Sequence, residues 1–375
     1  MTAGCVWRLL RRQFWACGRW PRQIVSLVLV TLASQRAAAQ SAPSAGQQTL
    51  VIERVGSARL RVVGDEAEAA LATIDAPDSE AAHRAWQRVL ASEGYWALHA
   101  REAAMHRAFT DSSFYSFLRS DSAVREAAPL RRTLDQWRRA DIRGAVAAAA
   151  AYLPPGTPIR ATVYFEVKPR LNTFVFRTDS GPSIFVAIDP SVSAPAFTNE
   201  VAHELHHIGY DSACAGRVDT AQSTPYATAA YWMDAFGEGW AVLAAAGGPH
   251  VDPHASDDSA GRAVWHHDYA RVADDMHRLD AFFIDVLDGR LRGRDSTQTV
   301  AMSFYGPVQG PWYTVGYLMV QTIELARGRP ALLARLCDPV QLVLTYQDIA
   351  VARDHAGGRL PLWSDSLIQR LRRGR

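Results

Sequence analysis

Positions 203–207 read His-Glu-Leu-His-His, which sets His203 and His207 four residues apart with Glu204 directly after the first. In a helix, residues four apart share one face about 6 Å from each other, so both imidazoles can reach a single metal ion. Glu204 is turned about 100° from His203. From there a carboxylate can take a proton from water at the metal without being a ligand itself. Hydrolytic zinc sites need a third protein ligand and one open position.

A third His in the longer version of this motif would fall at Ala213, and the Gly that accompanies it would be Tyr210, so that version is excluded. Only two Glu follow the motif, Glu238 and Glu324. Glu238 stands in Ala235-Phe236-Gly237-Glu238-Gly239-Trp240-Ala241, inside an apolar stretch from Tyr231 to Ala246. A buried carboxylate there needs a partner, and a metal is one. The small residues beside it would let the segment approach the first helix closely. Glu324 reads as a helix-surface or ion-pair residue, and Glu238 is the expected third ligand.

The segments "NEVAHELHHIGY", "FGEGWA" and "PWYTVGYLMVQTIE" together resemble the gluzincin-type zinc peptidases, and among them a family that bacteria export. The resemblance lies in the C-terminal half. It implies a zincin-like catalytic half, one Zn²⁺ held by His203, His207 and Glu238, Glu204 as general base, and a peptide or protein substrate. In many gluzincins an acidic residue follows the ligand Glu by four, whereas here that position is Val242. Support for the histidines must then come from elsewhere, with Asp211, Asp234 and Asn199 as candidates.

Peptide hydrolysis also needs a donor for the tetrahedral oxyanion. Tyr313 and Tyr317 share one face of a helix that Pro311 is placed to open, and Tyr313 is the choice. Gly316 between them costs about 1 kcal/mol relative to Ala, a cost that makes sense if something packs close. His206 is expected to point away from the metal, as a solvated or supporting group. His266 and His267 fall on a helical run expected over 263–287, and His250 and His254 in a polar loop near 247–261. No nucleophile elbow, phosphate loop or dinucleotide fingerprint is present.

The elements that must position these residues follow from periodicity. Leu50–Val55 and Ala58–Val63, parted by Gly56-Ser57, read as a hairpin. Residues 65–151 read as helices, with Trp86, Val89, Leu90, Phe114, Phe117 and Leu118 as core-facing stripes. After Pro154-Pro155-Gly156 come three short β runs, 159–167, 173–177 and 183–188, and from Pro195 the chain is helical again. The expected class is α+β, mostly α, with a mainly helical region over 49–155 and the catalytic half over 156–375.

Residues 1–39 carry six Arg and no acidic residue, then an apolar run from Ile24 to Ala33 and Ala37-Ala38-Ala39. This pattern predicts an export signal cut after Ala39, followed by a linker over 40–48. Ten apolar residues are too few to span a bilayer about 30 Å thick. Removing the segment takes the formal net charge of the 375-residue chain from +2 to −4. A mildly acidic chain has no electrostatic basis for holding nucleic acid, and no later stretch is long and apolar enough to span a membrane. Cys214 and Cys337 then remain, free or paired. Oligomeric state leaves no signature. Two further readings stay open. One is an exported binding or structural protein with a degenerate or structural metal site; the other is a zinc hydrolase acting on something other than peptides.

Overall fold

A computed structural model describes residues 50–169, 173–178, 181–215, 224–306 and 309–374. The expected export signal and linker lie outside them.

The hairpin forms as expected: β1 (Leu50–Val55) pairs antiparallel with β2 (Ala58–Val63), turning at Gly56 with φ +56°. Six helices follow: α1 (Asp65–Ile74), α2 (Ser79–Ala91), α3 (Glu93–Ala104), α4 (Asp111–Leu118), α5 (Asp121–Trp137) and α6 (Ile142–Ala150). Asp78, Ser92, Thr110, Ser120 and Asp141 each accept a backbone N–H as N-cap, which is why these short Ala- and Arg-rich runs start where they do. Trp86, Val89, Phe114 and Leu118 are buried, and Leu90 and Phe117 partly so.

Next come β3 (Arg160–Glu166), β4 (Thr173–Thr178) and β5 (Gly181–Ala187). The five strands form one sheet in the order β1-β2-β3-β5-β4, with β2–β3 and β3–β5 parallel and the outer pairs antiparallel. The parallel β2–β3 pair is made possible by the six-helix crossover between them. The sheet therefore draws strands from both sides of residue 155. Both its faces are covered. Val163 and Phe165 point into the main core, whereas Tyr164 and Phe185 pack with Phe174, Val63 and Ala97 on the other side.

The remainder is helical: α7 (Ala194–Ala213), α8 (Pro225–Met233), a 3-10 turn (Asp234–Phe236), α9 (Gly237–Ala246), α10 (Ser259–Tyr269), α11 (Val272–Leu287), α12 (Arg294–Ser303), α13 (Pro311–Arg327), α14 (Arg329–Leu333), α15 (Pro339–His355) and α16 (Asp365–Arg373). The molecule is α+β and mostly α. The single helix expected over 263–287 is two, broken at Ala270-Arg271. Trp265 of α10 packs on Tyr317, while Phe283 of α11 packs on Trp312. No Gly or Pro marks that break, so periodicity alone runs through it.

Contacts near both ends help to hold α7 in place. Phe197 stacks on Trp137 of α5 at 4.5 Å, with Phe165 of β3 against it at 5.5 Å. At the other end Cys214, the C-cap of α7, is disulfide-bonded to Cys337 just before α15. No helix among the described residues is long and apolar enough to cross a membrane.

Candidate metal centre

Helix α7 starts at Ser193, whose hydroxyl accepts the Ala196 N–H, and Pro195 fits its first turn. Val201, Ala202, Leu205 and Ile208 are all buried and seat the helix in the core. Gly209 admits Leu153, since a Cβ there would lie 2.1 Å from its Cδ1. With one face so fixed, His203 and His207 project from the other toward α9.

Glu238 comes to meet them. Its Oε2 lies 3.3 Å from Nε2 of His203 and 3.2 Å from Nε2 of His207, and the two Nε2 atoms are 3.0 Å apart. The three form the one group of three or more His, Cys, Asp or Glu placed to hold a metal among the described residues. At the bond lengths of zinc, about 2.0–2.1 Å, tetrahedral ligand atoms stand about 3.3–3.4 Å apart. The observed edges, 3.0 to 3.3 Å, come within a few tenths of an ångström of that size. The donor set, two imidazoles and one carboxylate, suits zinc.

The electrostatics agree with a cation site. Burial lowers the pKa of the His203 imidazole. Burial acts the same way on His207, but the Glu238 carboxylate, with Glu204 and Asp211 adding to it, raises that pKa above the ordinary value. A divalent ion bound here would lie in the same negative potential.

Glu204, next to His203, is partly exposed and contributes negative potential to both histidines. Tyr313 of α13 is 4% exposed, and its ring lies flat over that of His203, centroids 6.1 Å apart and 12° from parallel. Tyr317, one turn on, turns elsewhere: it packs on Trp265 and Tyr269, and its hydroxyl accepts from Gln321. The structure thus separates the two tyrosines that the sequence left together.

Other expectations are corrected. His206 does point away from the triangle, yet it is wholly buried and not solvated: its Nε2 faces the Tyr152 carbonyl at 3.4 Å and its ring stacks on Trp240. Burial pushes its pKa down to about 3, so it stays neutral. Glu324 is an ion-pair residue, with Arg329 at 2.8 Å, but a buried one that also accepts from the Tyr152 hydroxyl. The segment around Glu238 does lie close against α7, while Gly239 itself abuts Gly316 of α13. Of the proposed supports, Asn199 donates to the Ala245 carbonyl, Asp234 accepts from Tyr210, and Asp211 acts on His207 through its charge. His254 is held by Asp257 and packs on Trp265, and His266 lies beside Asp252.

A family model described as "Putative zinc dependent peptidase (DUF5700)" matches residues 86–354, well over half of the chain. The chain belongs to this family. The matched span takes in His203, Glu204, His207, Glu238 and Tyr313, so the triangle and the groups around it lie within the part the family shares. Searches of curated proteins and of solved structures gave no match.

Sequence reasoning missed Tyr210, which registered only as a departure from a glycine. The available signal was its place three residues after His207, on the same side of α7.

Proposed function

We propose that this chain is an exported zinc peptidase of gluzincin type, with a zincin-like catalytic half. The observation that carries the reading is the His203–His207–Glu238 triangle, whose edges of 3.0 to 3.3 Å fit tetrahedral zinc. Family membership supports both the metal and the peptide substrate.

When bound, zinc supplies a Lewis acid that acidifies water and polarises a carbonyl. Glu204, adjacent to His203 and reachable from solvent, takes the proton of the attacking water and passes it to the leaving amine. The Tyr313 hydroxyl donates to the oxyanion as it develops; its ring position over His203 is what recommends it.

Export rests on the basic and apolar pattern of residues 1–39 and is consistent with the Cys214–Cys337 disulfide, which suits an oxidising compartment.

The test is a digest of a diverse peptide library by zinc-loaded wild type and by Glu204→Gln. Cleavage by wild type and none by the variant, at equal zinc content, is the expected result. A zinc-loaded wild type that cleaves no peptide would remove the peptidase reading. It would leave a non-catalytic metal site, or a hydrolase for another substrate, as the better description.

A further inference from the structure

Helix α9 carries the third ligand and continues from α8 through the 3-10 turn at Asp234–Phe236 without a break, with Met233, Asp234, Phe236 and Gly237 all in helical backbone conformation. Glu238 is the second residue after the turn. A stretch of 3-10 helix inside a longer one changes the winding and so re-aims the side chains that follow, whereas a metal ligand has to be held to within about half an ångström. A contact that fixes the turn therefore bears on where Glu238 stands.

Helices α7 and α9 run antiparallel. His207 faces Glu238, Asn199 lies two turns toward the start of α7 and donates to Ala245 near the end of α9, and Tyr210 lies toward the opposite end. The Tyr210 hydroxyl donates to Oδ1 of Asp234. Tyr210 follows His207 by three residues and Asp234 precedes Glu238 by four, so this bond joins α7 to the 3-10 turn that leads into α9, about one turn away from the ligand triangle. Tyr210 is 5% exposed, and burial, with the Asp234 charge, raises its pKa well above the ordinary tyrosine range, so it keeps its proton and remains the donor.

We infer that Tyr210 and Asp234 are positioning residues for the metal centre: their hydrogen bond sets the start of α9 so that Glu238 meets His203 and His207 at ligand spacing. This role rests on the zinc reading and deepens it. Neither residue is assigned a contact with substrate. Mutation of groups that orient metal ligands commonly lowers affinity by about 10–100-fold.

The experiment uses the full purified protein, with Co²⁺ as a spectroscopic stand-in for zinc, and follows the visible absorption of the cobalt form together with its dissociation constant. Tyr210→Phe removes one hydroxyl. It is expected to bind Co²⁺ at least about tenfold more weakly and to shift the visible bands, while the metal-free variant keeps its cooperative thermal transition. Asp234→Ala should do the same, and the double variant should be no worse than either single one, because both remove one bond. Asp234→Asn keeps an acceptor oxygen and should restore most of the affinity. If Tyr210→Phe does not fold, the Asp234→Ala and Asp234→Asn pair gives the same comparison. Wild-type affinity and spectrum in Tyr210→Phe, or additive losses in the double variant, would overturn the inference and leave the zinc reading standing. A wild type that binds no Co²⁺ or Zn²⁺ would overturn both, and is a distinct result.

Discussion

Gly239 and Gly316 touch backbone to backbone: a methyl group on Gly239 would lie 2.1 Å from the carbonyl carbon of Gly316 and from the Tyr317 nitrogen. This contact brings α9, with Glu238, against α13, with Tyr313, at a distance only two glycines permit. At Gly316 the tightest approach is looser, 2.9 Å to the Phe236 carbonyl oxygen. Gly239→Ala should therefore destabilise more than Gly316→Ala. Overpacking of this kind costs about 1–3 kcal/mol, occasionally more, and the obstacle at Gly239 is backbone that cannot swing aside. Urea denaturation of the two variants measures it. Equal or reversed costs would contradict the contact.

Tyr313→Phe keeps the ring over His203 and removes only the hydroxyl. If that hydroxyl serves the oxyanion, kcat should fall by about 10²–10³-fold with KM and zinc content little changed. Tyr317→Phe, whose hydroxyl is taken by Gln321, should leave kcat within a fewfold of wild type. A Tyr313→Phe enzyme of full activity would return the residue to a packing role.

A second group of buried charges predicts a pH effect on stability. Burial raises the pKa of Glu166 from 4.5 to about 7, against the opposing influence of Lys168 and Arg101, and with Glu102 adding to the rise. The Lys168 ammonium lies 3.4 Å away, and the buried Glu66 carboxyl, itself raised, shares the site. A proton held by the folded chain but lost by the unfolded one stabilises the fold below about pH 4.5, and that stabilisation is lost as pH rises through about 7. Glu166→Gln cannot ionise. Its melting temperature relative to wild type should therefore be higher at pH 8 than at pH 5, a relative gain on the order of a few kcal/mol in unfolding free energy. A difference unchanged with pH, or of opposite sign, would contradict the assignment.

Cys214 closes α7 and is bonded to Cys337 across 123 residues of sequence. Loss of a native disulfide costs roughly 2–5 kcal/mol. Reduction, or the Cys214→Ser/Cys337→Ser pair, should lower the melting temperature by several degrees, as read by calorimetry with and without reductant. No shift would mean that the bridge restrains little.

Much of the site is legible in the sequence because a helix fixes which residues share a face. Two His four apart on α7 need no tertiary information to be paired, and a lone Glu in an apolar stretch, Glu238, announces a buried partner. The strands are legible from their β-branched and aromatic runs. What the sequence does not carry is set by contacts between distant segments. The parallel pairing of β2 with β3 depends on how six helices cross over between them. The division of labour between Tyr313 and Tyr317, one turn apart on α13, depends on what stands opposite: His203 for one, Trp265 and Tyr269 for the other. His206 reads as a solvated or supporting group from the sequence because its neighbour Trp240 and the Tyr152 carbonyl come from elsewhere in the chain. Tyr210 and Asp234 are 24 residues apart, and nothing local links them.

The central claim is that His203, His207 and Glu238 hold one catalytic zinc. Elemental mass spectrometry of the purified protein, with Glu238→Ala alongside, tests it most directly. Close to one zinc per wild-type chain and a large loss in the variant are predicted. A wild-type chain that carries no metal after zinc is supplied to the folded protein, or a Glu238→Ala chain that retains it in full, would contradict the claim.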